Sequence, residues 1–303
     1  MKTINSISHF HRLLSLPEPL YPLMSVIRVE NIQLTEEFSS ENFLFNFYSV
    51  SLKRDVQAKI KYGQQYFDFD KGVMSFIAPK QIQSVEVMDL ALESQQSGKG
   101  YALLFHPDFL YGHPLATTIK QYGFFSYTVN EALHLSEKEE TDVVDIFQRM
   151  ERECQHIDRH TQDILIAQLD LLLKYSNRFY ERQFLVRKSV NNHLLTRMET
   201  LLQDYFDSEE TLKNGLPTVD YLAGELNVSP HYLSDMLRTL TGQSAQQHIH
   251  EKLIEKAKQY LATSNLTVAE IAYELGFGHP QSFNKLFKKK TNMSPLEFRQ
   301  GFN

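Results

Sequence analysis

An α+β fold is predicted: an antiparallel β-barrel or sandwich with a helical hairpin, followed by an all-α domain of two helix-turn-helix units joined by a linker helix. Three observations predict it. A short pattern is written twice between Thr218 and Ser294, residues 42–53 alternate with period two ahead of further short strands up to 105, and residues 136–176 have helical spacing behind a capping box. The length, 303 residues, suits two domains that each bury a full core. The boundaries read from these patterns are 1–178 for the first domain, with its hairpin at about 136–176, then a link at 179–192, then 193–303.

The first domain opens on an unrepetitive, strand-like region. From Asn42 to Lys53, Phe43, Phe45 and Phe47 point one way while Leu44, Asn46 and Tyr48 point the other. Further short strands are expected at Lys59–Tyr62, Gln65–Phe69, Val73–Ala78, Gln83–Met88 and Gly100–Phe105. Turn signals stand between them at Asp70-Lys71-Gly72, Pro79-Lys80 and Ser97-Gly98-Lys99-Gly100. Strands at this spacing suggest a small barrel or sandwich. Residues 107–122 read as irregular with a short helix.

Ser136 with Glu139 three residues on is a capping box, and Val143, Val144, Ile146, Phe147 and Met150 then mark an amphipathic helix reaching about His156. A second helix, Thr161 to about Tyr175, carries Ile164, Leu165, Leu169, Leu171 and Leu172, more apolar surface than one stripe needs. The pair forms an antiparallel hairpin, and its surplus face suits either a dimer seam or packing on the barrel. Asn177 to Asn192 is polar and charged and reads as the link. Leu194, Leu195, Met198, Leu201 and Leu202 begin the second domain, and Asp207 to Gly215 is a surface loop.

The repeat follows. Thr218 and Thr267 are N-caps, Leu222/Leu226 and Ile271/Leu275 share a face, and Ala223 and Ala272 let another helix cross closely. Asn227 and Gly276 fall where a helix-ending turn needs positive φ. A second helix then starts in each copy, at Ser229-Pro230 through Leu233, Met236, Leu237 and Leu240, and later through Phe283, Leu286 and Phe287. The copies close alike, on Thr241-Gly242-Gln243-Ser244 and Thr291-Asn292-Met293-Ser294. Between the units runs a helix from Ala245 to about Leu261, on the order of 25 Å long at 1.5 Å per residue. That length suits two reading helices entering successive major grooves on one face of a duplex.

With Leu233, Met236, Leu237 and Leu240 turned inward, His231, Ser234, Asp235 and Arg238 face outward on the first reading helix. Their counterparts on the second are Gln281, Asn284, Lys285 and Lys288, with Ser282 at the helix start. Gln281 suits adenine, while Arg238 and Lys285 suit guanine or phosphate. Asp235 can only accept from cytosine or repel the backbone. The net charge of −6 lies wholly in residues 1–180, which hold 17 Lys+Arg against 23 Asp+Glu; from Ser229 onward the count is 9 against 6. Alone, the run of Lys285, Lys288, Lys289 and Lys290 would be a solvated face, but on a reading helix it neutralises phosphate.

From about Leu194 to Phe302 the chain resembles the AraC/XylS family of bacterial transcription regulators. The resemblance rests on Leu222-Ala223 and Leu226, Val228-Ser229-Pro230-His231-Tyr232-Leu233-Ser234, Thr241-Gly242, Ile271-Ala272, Gly276-Phe277, Phe283, Lys285, Phe287-Lys288 and Ser294-Pro295-Leu296-Glu297-Phe298-Arg299. It implies a seven-helix DNA-binding domain fused to an N-terminal cupin-like barrel that senses a small molecule or sets oligomerisation. Many relatives have a basic residue where Asp235 stands, and the His-rich metal motifs of enzymatic cupins are not seen. The partners expected are double-stranded operator or promoter DNA, a second copy of the chain, and a small-molecule effector whose binding residues the sequence does not name; RNA polymerase stays open as a further one.

Other groups carry less. His156 and His160 have metal-ligand spacing but lack a third ligand, so a solvated helix end is expected. His9/His11 and His248/His250 are alternating pairs. Cys154, the single cysteine, excludes a disulfide framework, fits a reducing cytoplasm and reads as a small buried hydrophobe. Phe43, Phe45, Phe47, Tyr66, Phe67 and Phe69 line either an effector pocket or, as aromatic stripes usually do, the core. No signal peptide, membrane span, metal, cofactor or catalysis is expected. A cupin-type enzyme or a DNA-repair alkyl transferase fused to the same domain is the alternative; the first needs clustered His/Glu ligands, the second a reactive Cys.

Overall fold

The computed structural model describes residues 2–32, 43–54, 59–62, 65–68, 72–83, 99–127, 131–186 and 188–301. They fall into two compact units, Met1–Gln183 and Phe184–Asn303.

The N-terminal unit is mixed. Its main sheet has five antiparallel strands in the order β10 (Leu133–His134), β7 (Val73–Ile77), β4 (Tyr48–Arg54), β9 (Lys99–Phe105), β2 (Met24–Arg28). A smaller sheet orders β1 (Lys2–Ile4), β3 (Phe43–Phe45) and β8 (Ile82–Gln83), and β5 (Lys59–Tyr62) pairs with β6 (Gln65–Asp68). The expectation of a barrel is corrected: among the described residues no sheet closes on itself, and β1 joins β3 in parallel. The strand expected at Gln83–Met88 lies mostly outside the described residues, as do the side chains of Tyr66, Phe67 and Phe69.

Period-two alternation decides what each face of the main sheet meets. Ile27 and Leu104 lie in one core with Ile4, Ile7, Leu13, Phe43, Phe45 and Phe47, so this face meets the small sheet and α1 (Ile7–Leu13). The phenylalanines at 43, 45 and 47 are core, though the strand breaks at Asn46-Phe47. On the other face Tyr101 stacks on Phe147 of α3 (Glu137–Glu153) at 5.4 Å between centroids, after the short α2 (Leu115–Thr118). Arg28 donates through Nε and Nη2 to both oxygens of Glu151, each at 2.8 Å, and Arg54 pairs with Glu140.

The capping box forms as read: Glu139 N donates to Ser136 Oγ at 3.4 Å, and Ser136 N to Glu139 Oε2 at 2.8 Å. The second hairpin helix, α4, runs Thr161–Val186, well past Tyr175. Beyond Tyr175, Ser176, Phe179, Tyr180, Gln183 and Phe184 stay buried at helical spacing. Ser176 Oγ donates to Leu172 O at 2.8 Å, and Gln183 accepts from His134 N at 2.8 Å and donates to Ala132 O at 3.2 Å, so both polar groups are satisfied. Arg182 donates to Glu139 at 2.6 and 3.1 Å, setting the far end of α4 against the first turn of α3 as an antiparallel pair requires. The stretch expected as a link, 179–192, is thus helical to Val186 and again from Lys188, where α5 (Lys188–Asp207) begins.

The C-terminal unit is all helix. After α5 come α6 (Glu210–Asn214), α7 (Val219–Leu226), α8 (Pro230–Thr241), α9 (Ala245–Thr263), α10 (Val268–Glu274), α11 (Pro280–Thr291) and α12 (Pro295–Gln300). The loop expected at Asp207–Gly215 holds α6, whose end fixes a glycine elsewhere. Gly276 has φ +87°, and a Cβ there would fall 2.7 Å from Gly215 C and 2.9 Å from Thr211 O. Among the described residues no helix is long and apolar enough to cross a membrane.

Candidate nucleic-acid interface

The repeat holds down to individual backbone bonds. In the first copy Val228 N donates to Ala223 O at 3.0 Å and Asn227 N to Gly224 O at 3.1 Å; in the second Phe277 N donates to Ala272 O and Gly276 N to Tyr273 O, both at 2.9 Å. That 6→1 and 5→2 pair is a Schellman turn, closed by Asn227 at φ 57° and Gly276 at φ 87°. Its consequence is the turn that sets α8 on α7 and α11 on α10.

The reading helices also end alike. Gly242 N donates to Arg238 O and Asn292 N to Lys288 O, each at 2.9 Å, while Thr241 and Thr291 donate at 2.8 Å to Leu237 O and Phe287 O. Capping boxes Ser244/Gln247 and Ser294/Glu297 then start α9 and α12. At the N-termini, Thr218 accepts from Tyr221 N at 3.1 Å, Thr267 from Glu270 N at 3.2 Å, and Ser229 from Tyr232 N at 3.2 Å. The copies differ here in that Thr267 with Glu270 forms a full capping box where Thr218 does not, and His279 leaves α11 without a side-chain cap.

Burial sorts the side chains of each reading helix. Leu233, Met236 and Leu237 are buried on α8, and Phe283 and Phe287 on α11; Leu240, expected inward, is half-buried. Gln281, Ser282, Asn284, Lys285 and Lys288 are all exposed. On α8, His231 and Arg238 are exposed while Ser234 and Asp235 are half-buried. The faces differ in how free they are. Arg238 Nη1 donates to Asp235 Oδ1 at 2.7 Å, so the first helix spends its cation on its own carboxylate. No ion pair is described for Lys285, Lys288, Lys289 or Lys290.

Between the units α9 buries Ile249, Leu253, Ile254, Ala257 and Leu261. It is pinned at both ends of its neighbours: Lys256 pairs with Asp207 of α5, and Arg299 of α12 donates to Leu261 O at 3.3 Å. Sequence reasoning missed the Asp235–Arg238 pair and the place of His250, which lies half-buried on α9 and feels Lys289 and Lys290. No periodic signal marks either.

In the N-terminal unit Cys154 is buried, and burial, aided by Glu153 and Glu151, pushes its thiol up to about 11, as for an inert small hydrophobe. His156 and His160 sit in the turn between α3 and α4. Among the described residues no three His, Cys, Asp or Glu side chains are grouped to hold a metal.

Comparison with known proteins bears on the same unit. A helix-turn-helix domain family matches residues 222–301. The HTH-type transcriptional activator RhaS of Salmonella paratyphi B (strain ATCC BAA-1250 / SPB7) is 30% identical over 141 residues, 46% of this chain and 46% of the relative. The chain is thus matched over about half the length of the curated relatives. Among solved structures, the C-terminal domain of AraT, a response regulator from Geobacillus stearothermophilus, is 30% identical over 36% of this chain and 84% of its own, with a TM-score of 0.32. The C-terminal domain of the two-component response regulator yesN from Fusobacterium nucleatum subsp. nucleatum ATCC 25586 is 33% identical over 33% and 96%, with a TM-score of 0.29. Residues 222–301 are a helix-turn-helix domain of the AraC type.

Proposed function

We propose that the chain is a sequence-specific DNA-binding regulator of transcription that lays α11 and α8 in successive major grooves. The observation that carries this reading is the duplicated turn, the same hydrogen bonds twice, with two outward polar helix faces spaced by α9. At 1.5 Å per residue, the 19 residues of α9 span about 28 Å, close to the roughly 34 Å of one DNA turn. Gln281, Ser282, Asn284, Lys285 and Lys288 read bases and phosphates from α11. His231, Ser234, Asp235 and Arg238 make the weaker contact from α8, because Arg238 must leave Asp235 to reach the duplex.

The N-terminal unit serves as a sensor of a small molecule or as the pairing module of a cytoplasmic homodimer. Support for pairing comes from α4, where Ile164 and Leu171, seven residues apart on one face, keep 41% and 44% exposure. No catalysis is assigned to it.

The test is binding to genomic DNA fragments recovered by pull-down with the full chain. Lys285→Ala is expected to weaken binding by about 1–3 kcal/mol and to lower the salt slope by about one phosphate. Unchanged affinity and unchanged slope would remove α11 from the interface.

A further inference from the structure

The middle strand of the main sheet, β4, carries hydroxyls and a cation on the face turned toward the small sheet and α1. Alternation puts Ser49, Ser51 and Lys53 there, since Val50 and Leu52 are wholly buried on the opposite face. The register continues this face across the neighbouring strands. On β7, Ser75 lies across from Ser51 and Val73 from Lys53; on β9, Ala102 and Gly100 take the same places. Gly100 has no side chain to set against Lys53 and could not carry one, because a Cβ there would strike Leu52 O and stand 3.2 Å from Lys53 Cα.

These groups are donors in search of an acceptor. Ser51 Oγ and Ser75 Oγ lie 2.6 Å apart, so one hydroxyl donates to the other and the pair keeps one O–H for a further acceptor. Lys53 is half-buried and has neither hydrogen bond nor ion pair among the described residues. It stands two positions from Ser51, about 7 Å along the strand, within reach of a lysine stem. None of the five strands of this sheet contains an Asp or Glu. The neighbouring charges supply no counterion: Arg54 turns to the opposite face and pairs with Glu140, and His134 stands beyond Val73 on β10. On α1, His11 Nδ1 donates to Pro17 O at 2.6 Å, Arg12 faces Glu18 at 4.0 Å, and His9 is half-buried. A partly desolvated ammonium beside paired hydroxyls, with no acid on its sheet, is a cluster that an external anion completes.

We propose that Lys53, Ser51 and Ser75 bind the carboxylate of a small-molecule effector on this face of the N-terminal unit. This rests on the sensor reading above and names the chemical class of the ligand. One ammonium balances one negative charge, and its N–H donors together with the hydroxyl match the two oxygens of a carboxylate; a phosphate dianion would bring a second charge without a partner. Val73 and Ile77 on β7 and Ala102 and Leu104 on β9 share the face and offer apolar contact to the rest of the molecule. A small monocarboxylic acid is therefore the class that fits. Its binding turns a desolvated cation into a hydrogen-bonded ion pair, and so raises the affinity of Lys53 for its proton.

The experiment uses acetate as the probe and acetamide as its neutral counterpart of the same shape. Thermal unfolding of the full chain is followed by circular dichroism, with chloride exchanged for acetate at fixed ionic strength. At pH 7 acetate is expected to raise the midpoint of wild type and acetamide to leave it in place, while Lys53→Met, folded but without the ammonium, responds to neither. Burial lowers the Lys53 ammonium to about 8 in the folded chain, so the acetate effect is expected to be full at pH 7 and lost by pH 9.5. Carbon-13 NMR of lysine Cε reads the same linkage directly: saturating acetate is expected to raise the Lys53 titration midpoint by about one unit, the counterpart of tenfold tighter binding to the ammonium than to the amine. A Ser51→Ala/Ser75→Ala double variant is expected to bind acetate about tenfold more weakly, the loss of one hydrogen bond to a charged group. An equal acetate shift in wild type and Lys53→Met, or no shift in wild type, would overturn the carboxylate site while leaving the DNA-binding reading intact. A site that holds acetate in a chain whose affinity for a recovered genomic fragment acetate does not change would overturn the sensor role and leave the site in place.

Discussion

Replacing Lys53 by methionine is expected to stabilise the protein, and the gain is expected to vanish at high pH. Lys53 lies on β4, in the middle of the main sheet, in register with Val73 on one side and Gly100 on the other. Burial lowers its ammonium from 10.5 to about 8, and no ion pair is described for it. At about 1.4 kcal/mol per pKa unit, that depression corresponds to a ceiling of about 3.5 kcal/mol of destabilisation while the group is charged. Partial exposure reduces it, so about 1–2 kcal/mol is the working figure. The sign follows from proton counting. Below pH 8 both folded and unfolded chains hold the proton and the penalty is complete. Between pH 8 and 10.5 the unfolded chain holds a proton the folded one has released, so wild-type stability climbs with pH. Above 10.5 the penalty is gone. Methionine has similar length and no charge to desolvate, so Lys53→Met should exceed wild type at pH 7 and match it near pH 10.5. With no tryptophan in the sequence, urea unfolding followed by circular dichroism is the suitable assay. A variant less stable than wild type at pH 7 would point to a charged partner for Lys53, and an offset equal at both pH values would show a packing effect unlinked to its proton; either would refute the reasoning.

Gly276→Ala is expected to cost more than about 1 kcal/mol, because the position combines φ +87° with a Cβ that would press on Gly215 and Thr211 backbone; thermal unfolding checks it, and an unchanged midpoint would contradict the geometry. Leu171→Glu on the exposed face of α4 is expected to shift the full chain from dimer to monomer in sedimentation velocity without lowering its helix content. An unaltered sedimentation coefficient would take that face out of the assembly.

The C-terminal unit was legible because its signals are short-range. A threonine cap, a small residue at the crossing and a positive-φ residue at the turn each act within one helical turn, and each is written twice. The same locality made Phe43, Phe45 and Phe47 readable as one buried face. What escaped depended on partners distant in sequence. Gln183 looks like part of a polar link until its hydrogen bonds to His134 and Ala132 make it helix interior. The parallel pairing of β1 with β3 joins residues some forty positions apart, and no local pattern announces it. For the candidate interface, outward positions followed from the apolar stripe. The freedom of those side chains did not, since Asp235 and Arg238 could satisfy each other or the duplex at the same spacing.

Hydroxyl-radical footprinting of the full chain on a recovered genomic fragment tests the pairing of α8 and α11 most directly. Two protected patches about 10 base pairs apart, on one face of the helix, are expected, with the α11 patch surviving longer as salt is raised. A single patch, or two patches about half a turn apart on opposite faces, would contradict it.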